Sequence, residues 1–416
     1  MKKYLLGVGA LLLLGNLTTT SILADDDLYV SGYFRYGTMV DKNGDQNWGK
    51  TWKRYTGALG NDDNSWEMTF SKQYEGYEGL WARIQSTIKG DMGRNVNRVW
   101  VDDSSGWSAY VDHAEDWGNK NLYLDGATIE LGGFDPKSDI SIWAGKGGVA
   151  KDNYNYLTDI FYTDYSGVGG GIKNIFDKFD LAYLQRHHEF WWDDQVNTNE
   201  ATIHTFYGRF KHNDFHLDAF YNKNSNEQSN TAKDGYQLTA NYNKDDYYFF
   251  RGGKTTYALQ YGKGLGGDLG NNAPVWWHQD HSAYRFLTFA STQIESLTIL
   301  NQFWIGYEKD HYRNEYLNGS VVGRIIYPLK TYLAMEAEVG VGFRKELEKG
   351  DGGDKSTGIT EYKIAAGPSF IVPTLKGINP TIKLLGAYHG GSNIKNNEFR
   401  VGIQAEVWIP EQNMFR

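Results

Sequence analysis

Glu398-Phe399-Arg400-Val401-Gly402-Ile403-Gln404-Ala405-Glu406-Val407-Trp408-Ile409 separates into two faces. One parity holds Phe399, Val401, Ile403, Ala405, Val407 and Ile409, and the other holds Glu398, Arg400, Gly402, Gln404, Glu406 and Trp408. Successive side chains leave a pleated backbone in opposite directions, so a strict period of two predicts a β-strand with one apolar and one polar face. The pattern recurs upstream, where Phe215, Leu217, Ala219 and Tyr221 alternate with Asp214, His216, Asp218 and Asn222. Strands of this kind suit a barrel with hydrocarbon outside and water inside. Trp408 breaks the rule by standing on the polar face, and stacking against a passing ligand would give an indole a reason to be there.

Outward from that strand, the composition agrees. The chain has 416 residues, of which 15% are aromatic, with 49 Gly, 7 Pro and no Cys. Scarce proline leaves sheet ladders unbroken, and the absence of cysteine means that no disulfide holds the structure. The mean hydropathy is −0.58, and no stretch beyond residue 24 approaches the roughly 18 apolar residues of a membrane-spanning helix. Candidate strands run over Leu28–Gly37, Ser65–Lys72, Leu80–Ile88, Leu122–Leu131, Asp139–Gly145, Leu157–Tyr165, Phe179–Arg186, Thr202–Lys211 and Phe215–Asn222. They continue over Gly235–Asn243, Thr255–Gly262, Ala283–Thr292, Leu297–Glu308, Ser320–Leu329, Tyr332–Arg344, Thr360–Ile371, Ile378–Tyr388 and Glu398–Ile409. The total, about eighteen, lies in the range of outer-membrane barrels. Short connections such as Asn243-Lys244-Asp245-Asp246 read as periplasmic turns, and the polar stretches Asp41–Asp63, Gly90–Asn121, Glu189–Asn199 and Gly264–His281 as extracellular loops.

The first residues read as a secretory signal over 1–24, with Lys2 and Lys3 ahead of the apolar run Tyr4–Leu14 and Ala24 at a plausible cleavage point. Residues 25–416 then form one barrel domain. Removing two of the 42 Lys+Arg while keeping all 51 Asp+Glu takes the net charge from −9 to −11, which argues against nucleic-acid binding. Export plus barrel strands points to a bacterial outer membrane, because a sheet in lipid must close on itself to satisfy its backbone. The rival architecture is a secreted β-sandwich or propeller, against which no blade-length repeat is visible.

Three further segments carry a family resemblance. Ile142-Trp143-Ala144-Gly145-Lys146, then Leu157-Thr158-Asp159-Ile160-Phe161-Tyr162, then Ser166-Gly167-Val168-Gly169-Gly170-Gly171-Ile172-Lys173-Asn174-Ile175 resemble the maltoporin family. The family pattern is a Trp-Ala-Gly-Lys strand, an inward-folded constriction loop and a Ser-Gly-x-Gly-x-Gly run. Gly32-Tyr33-Phe34-Arg35 and Glu398–Trp408 match its first and last strands. The resemblance implies an all-β, eighteen-stranded transmembrane barrel, a homotrimer in outer-membrane lipid, and diffusion of oligosaccharides along an aromatic track. No cofactor and no metal are expected. Sugar C–H faces would pack on flat rings while hydroxyls bond to neighbouring charged groups, and weak repeated sites allow entry and exit.

On that resemblance Tyr33 and Trp408 are track aromatics. Tyr33 shares its parity with Ser31 and Arg35, while Val30 and Phe34 face lipid. The rival role for both rings is an interface-girdle aromatic. Trp117 stands near the place of a loop tryptophan that reaches into the neighbouring subunit, one residue out of spacing, with Trp107 as its rival. Arg35 and Glu67 match charged track residues, Asp159 the constriction aspartate, and Phe161 a tyrosine, so that a hydroxyl is missing. Lys151 or Asp152 falls where the family has an arginine. Each lumen charge has the alternative of being solvated wall.

The departures are substantial. A second track tyrosine on the strand from Ser65 is absent, a late track tryptophan aligns with Gly391, and a mid-chain phenylalanine with Lys254. Trp191-Trp192 and Trp276-Trp277 are candidate replacements or loop-packing residues. Asp41-Lys42-Asn43-Gly44-Asp45 only superficially resembles a calcium loop, with its Gly misplaced and no closing Glu. His187-His188 lacks partners at metal spacing. A barrel enzyme would need a Ser–His or Asp–His pair at one rim, and a general diffusion porin or adhesin would not need aromatics on the lumen parity.

Overall fold

The computed structural model describes residues 28–42, 53–61, 65–91, 96–102, 108–114, 122–150, 154–158, 160–163, 165–188, 201–225, 232–269, 279–310, 314–348, 358–372, 379–392 and 397–413. Eighteen strands form one antiparallel sheet. The sheet closes because Leu28–Val40 pairs on one side with Ser65–Glu75 and on the other with Glu398–Asn413. Tyr33 therefore stands opposite Glu67 in one neighbour and Trp408 in the other. Closure leaves no sheet edge, the condition for a sheet surrounded by hydrocarbon. No helix among the described residues is long and apolar enough to cross a membrane.

The two-face alternation of the last strand is realised as expected. Phe399, Val401 and Ile403 are 59%, 50% and 44% exposed on the outer face, whereas Arg400, Gln404 and Glu406 are buried inside. In Phe215–Asn224 the outer face carries Phe215 and Tyr221, and Asp218 and Asn222 point into the lumen. The exposed outer residues are apolar on strand after strand, including Leu181, Phe206, Leu238, Leu259, Val321, Val339, Ile364 and Leu384. Water-exposed apolar surface on this scale would be unfavourable, and a lipid bilayer accounts for it.

Several expectations are corrected. Leu157–Tyr165 is not a strand of the barrel. The wall strand is the glycine-rich Tyr165–Ile175, and the residues before it leave the wall. Glycines carry no side chain whose alternation could mark the strand. Asn243-Lys244-Asp245-Asp246 is not a turn. Asn243 and Lys244 pair with Thr256 and Thr255, and the chain reverses at Tyr248-Phe249. Charged residues occupy strands here because this end lies at the polar rim. Gly90–Asn121 contains a hairpin of its own, Val96–Asp102 with Ser108–Ala114, outside the barrel sheet. The stretches Asp41–Asp63 and Gly264–His281 are not wholly external, since residues 53–61 and 264–269 enter the lumen, as set out below.

Candidate functional site

One wall of the lumen is built from six neighbouring strands: Glu315–Lys330, Leu333–Glu348, Ile359–Ile371, Thr381–Gly391, Glu398–Asn413 and Leu28–Val40. Their inward parities align charges of alternating sign. Arg35 Nη2 lies 3.1 Å from Glu406 Oε1, and Lys383 Nζ lies 3.1 Å from both Glu406 Oε2 and Glu336 Oε2. Arg324 meets Glu338 Oε2 through Nε at 2.9 Å and Nη2 at 2.6 Å, and Lys363 Nζ stands 3.5 Å from Glu338 Oε1. Ser369 Oγ donates to Glu336 Oε1 at 2.6 Å. The four cations Arg35, Lys383, Arg324 and Lys363 share the three carboxylates Glu406, Glu336 and Glu338, and all seven are buried against one another, so the wall carries no large uncompensated charge. Such a surface suits a neutral, hydroxyl-rich solute better than an ion.

Aromatic rings lie along the belt. The Tyr33 and Trp408 rings have centroids 4.4 Å apart, and Tyr156 lies 5.9 Å from Trp408. Trp408 Nε1 donates to Glu406 Oε1 at 2.5 Å, which fixes the indole orientation. The Arg35 guanidinium sits 5.3 Å from the Tyr33 ring centre and that of Arg324 4.9 Å from Tyr156. These distances are those of cation–π contacts. Tyr33, Trp408 and Arg35 are therefore brought together on the lumen wall, the side their parity indicates. Glu67 is also lumenal, but it faces away from the belt: Lys89 Nζ reaches both Glu67 Oε2 at 3.0 Å and Asp125 Oδ2 at 2.9 Å.

Two inward segments narrow the passage beside this wall. Residues 154–163 cross toward the far strands, where Thr158 Oγ1 donates to Gln302 Oε1 at 3.3 Å and the Tyr162 carbonyl accepts from Gln260 Nε2 at 2.9 Å and Arg285 Nη2 at 3.2 Å. Leu157, Thr158 and Thr163 are completely buried by this crossing. Residues 53–61, with the short helix Lys53–Thr56, seat against the charged wall. Lys363 Nζ donates to the Gly57 carbonyl at 2.5 Å and to Asn61 Oδ1 at 3.0 Å, Leu59 N donates to Glu338 Oε1 at 2.9 Å, and Ser320 Oγ donates to the Tyr55 carbonyl at 2.6 Å. The wall is cut to receive it: a Cβ on Gly340 would overlap the Thr56 carbonyl oxygen, and one on Gly342 the Tyr55 side chain. The two segments also meet, with Ala58 N donating to the Leu157 carbonyl at 2.7 Å. A third piece, residues 264–269, packs beneath Arg285, whose Nη2 donates to the Leu269 carbonyl at 2.9 Å.

Trp117, Lys151 and Asp159 lie outside the described residues, as do Trp107, Asp152 and the pairs Trp191-Trp192 and Trp276-Trp277. For Phe161 the backbone alone is described, paired with Tyr154. No group of His, Asp and Glu able to hold a metal ion occurs among the described residues. The residues that sequence reasoning missed are Tyr156, Arg324, Glu336, Glu338, Lys363 and Lys383. The five charges had a signal, since each stands on the inward parity with an apolar or small residue on either side in sequence. Tyr156 had none, because an irregular segment has no parity.

The LamB porin family model matches residues 28–409. Among curated proteins, the maltoporin of Vibrio cholerae serotype O1 is 27% identical over 175 residues, which cover 41% of this chain and 35% of that protein. The chain thus matches about a third of the length of the curated relatives it resembles. Among solved structures, Pseudomonas aeruginosa OpdK with vanillate aligns over 92% of this chain and 97% of that one, at 10% identity and a TM-score of 0.48. OmpT of Vibrio cholerae with loop L8 deleted covers 92% and 98% at 9% identity and a TM-score of 0.40.

Proposed function

The chain belongs to the LamB porin family of outer-membrane β-barrels, and from that premise we propose that it is a channel, not an enzyme, and passes oligosaccharides selectively along the wall that carries Tyr33 and Trp408. The observation that carries this reading is a half-buried aromatic pair set beside a nearly neutral belt of charges. The Tyr33–Trp408 pair gives two apolar ring faces, tilted 43° to one another, for the C–H face of a sugar ring, and Glu406, Lys383 and Arg35 beside it, engaged with one another and only 2–3% exposed, offer hydroxyls no more than their edges. Burial of apolar faces on rings and charge-assisted hydrogen bonds at the ring edge together select a polyhydroxylated ring over a small ion. The inward segments oblige a solute to pass close to this wall. Maltodextrins and other linear glycosides fit that description equally.

Single-channel recording in a planar bilayer tests the proposal. A panel of maltotriose, cellotriose and raffinose should include at least one sugar that blocks the ion current in a saturable manner. Current insensitive to every member, at concentrations where viscosity alone explains any change, would refute sugar selectivity and leave a general diffusion porin. The homotrimer belongs to the same proposal and rests on the family resemblance. A monomeric mass in mild detergent, from protein that still shows full sugar block, would remove it.

A further inference from the structure

The outer face of the barrel carries a motif that the pore does not use. Four strands that rise toward the loop end finish alike: Tyr221-Asn222-Lys223, Tyr261-Gly262-Lys263, Tyr307-Glu308-Lys309 and Phe343-Arg344-Lys345. In each, a lysine follows an aromatic ring by two residues, and the period of two puts both on one side of the sheet. Tyr221 and Phe343 are exposed on the outer face, and Lys223, Lys263 and Lys345 are exposed with them. One strand running the other way separates each of the four from the next. Strands two apart lie about 9–10 Å from one another, so the lysines form a ladder along one arc of the rim. We propose that this arc binds a phosphorylated glycolipid of the outer leaflet, with its phosphates on the lysines and its acyl chains on the apolar face below the rings.

The rings set the level of the ladder. Tyr236, Tyr261, Tyr284 and Tyr307, on four successive strands, form a row with centroids 5.6, 4.6 and 6.2 Å apart. The Tyr236 and Tyr261 hydroxyls lie 3.3 Å apart. Tyrosine belts of this kind mark the boundary between hydrocarbon and headgroups. Two residues toward the membrane centre stand Leu238, Leu259, Ile305 and Val341, all exposed and apolar. Two residues the other way stand the lysines. Long connections of such barrels are extracellular, so the lysines reach the headgroups of the outer leaflet. The chain as a whole is acidic, with 42 Lys+Arg against 51 Asp+Glu, so the ladder runs against the net charge. Two acids face it from the intervening strands. Asp234 accepts from the Tyr221 hydroxyl at 3.4 Å and from Gln279 Nε2 at 2.9 Å, and Glu315 lies 3.6 Å from Lys309. Lys223, Lys263 and Lys345 have no carboxylate partner among the described residues. An ammonium at a headgroup boundary attracts phosphate. A lipid with one phosphate meets one rung, whereas a sugar headgroup phosphorylated at both ends spans two and offers hydroxyls to the phenols. The inference needs the outer-membrane barrel and does not depend on sugar passage.

The test measures binding of bisphosphorylated lipid A to the full-length porin in mild detergent by native mass spectrometry, with monophosphorylated lipid A and phosphatidylglycerol as competing probes. The variants are Lys223→Gln, Lys263→Gln, and the triple change of Lys223, Lys263 and Lys345 to Gln. Lys146→Gln is the control, because Lys146 is an exposed outer lysine on a strand outside the arc. Bisphosphorylated lipid A should bind more tightly than either competitor, and Lys146→Gln should bind as native. Each single variant should weaken binding about fivefold and the triple variant about a hundredfold. Native binding by the folded triple variant would overturn the proposal. So would an equal loss in Lys146→Gln, which would leave only diffuse charge. Phosphatidylglycerol bound as tightly as bisphosphorylated lipid A would make the arc a general anionic-lipid surface and remove the glycolipid. Heat-modifiable migration reports folding, and should the triple variant not fold, the single variants are judged by the same outcomes.

Discussion

Glu338→Ala probes the seat of the inward segment 53–61. Glu338 is completely buried and holds three partners: Arg324 through Oε2, and Lys363 and Leu59 N through Oε1. Removing the carboxylate with the segment still seated takes the ion-pair partner from Arg324, takes the counter-charge from Lys363, which keeps Gly57 and Asn61, and strands a backbone N–H. Stripping one partner from a buried pair costs about 3–5 kcal/mol, and an orphaned N–H about 1–3 kcal/mol more, so the seated variant is disfavoured by about 4–8 kcal/mol. Release of the segment would hydrate both cations. It would also give up the hydrogen bonds of Lys363 to Gly57 and Asn61, of Ser320 to Tyr55 and of Ala58 to Leu157. At about 0.5–1.5 kcal/mol each, those bonds total about 2–6 kcal/mol. Uncovering Leu59 adds about 1.5–3 kcal/mol. The two penalties overlap, so the segment should exchange between seated and released positions instead of leaving for good. Single-channel traces in symmetric salt should therefore flicker between the native conductance and a larger level. Glu338→Gln keeps an acceptor for Leu59 N and should be much quieter. A Glu338→Ala channel that is folded by heat-modifiable migration, yet as quiet as native and of the same conductance, would show that the segment does not constrict the pore.

Three further outcomes follow from the same geometry. Gly340→Val places a side chain on the Thr56 carbonyl oxygen without altering a charge, so it should raise conductance as Glu338→Ala does, and an unchanged conductance would contradict the proposed seat. Trp408→Ala should weaken sugar block by about three- to tenfold, the worth of one aromatic contact at about 0.5–1.5 kcal/mol, with barrel stability retained; a destabilised barrel with unaltered block would assign the ring to packing. Asp218→Ala strands Arg209, which meets Asp218 through Nε at 2.6 Å and Nη2 at 3.1 Å, and the Tyr207 hydroxyl at 2.8 Å. Heat stability should fall, by about 3–5 kcal/mol at most for a buried pair, while sugar block at the opposite wall stays native.

The barrel was legible because its physics is local. A strand with water on one side and lipid on the other must alternate, and the alternation of Glu398–Ile409 survives unchanged in the structure, with Phe399 outside and Arg400 inside. The same rule puts Tyr33 and Trp408 in the lumen, and the closing register sets the two residues opposite one another. The rule is silent where side chains are missing or the backbone is irregular. Four of the five residues from Gly167 to Gly171 are glycines without side chains to alternate, so the pattern points one segment too early, to residues that in fact cross the lumen. The charges near Asn243 read as a turn because a polar strand end and a turn share a composition.

Sequence alone determined the closed sheet, its apolar exterior and the inward side of each regular strand, because these depend on a period of two and on the need of every backbone group for a partner. Tertiary structure alone decided what the lumen contains. Arg35, Glu406, Lys383, Glu336, Arg324, Glu338 and Lys363 come from six strands spread between residues 35 and 406, and only the sheet register sets them side by side. Gly340 and Gly342 carry no visible signal, yet the space they leave admits residues 53–61. Tyr156 meets Trp408 across more than half the chain. Contacts between irregular segments and a curved wall depend on where closure brings the strands, and no local period encodes that.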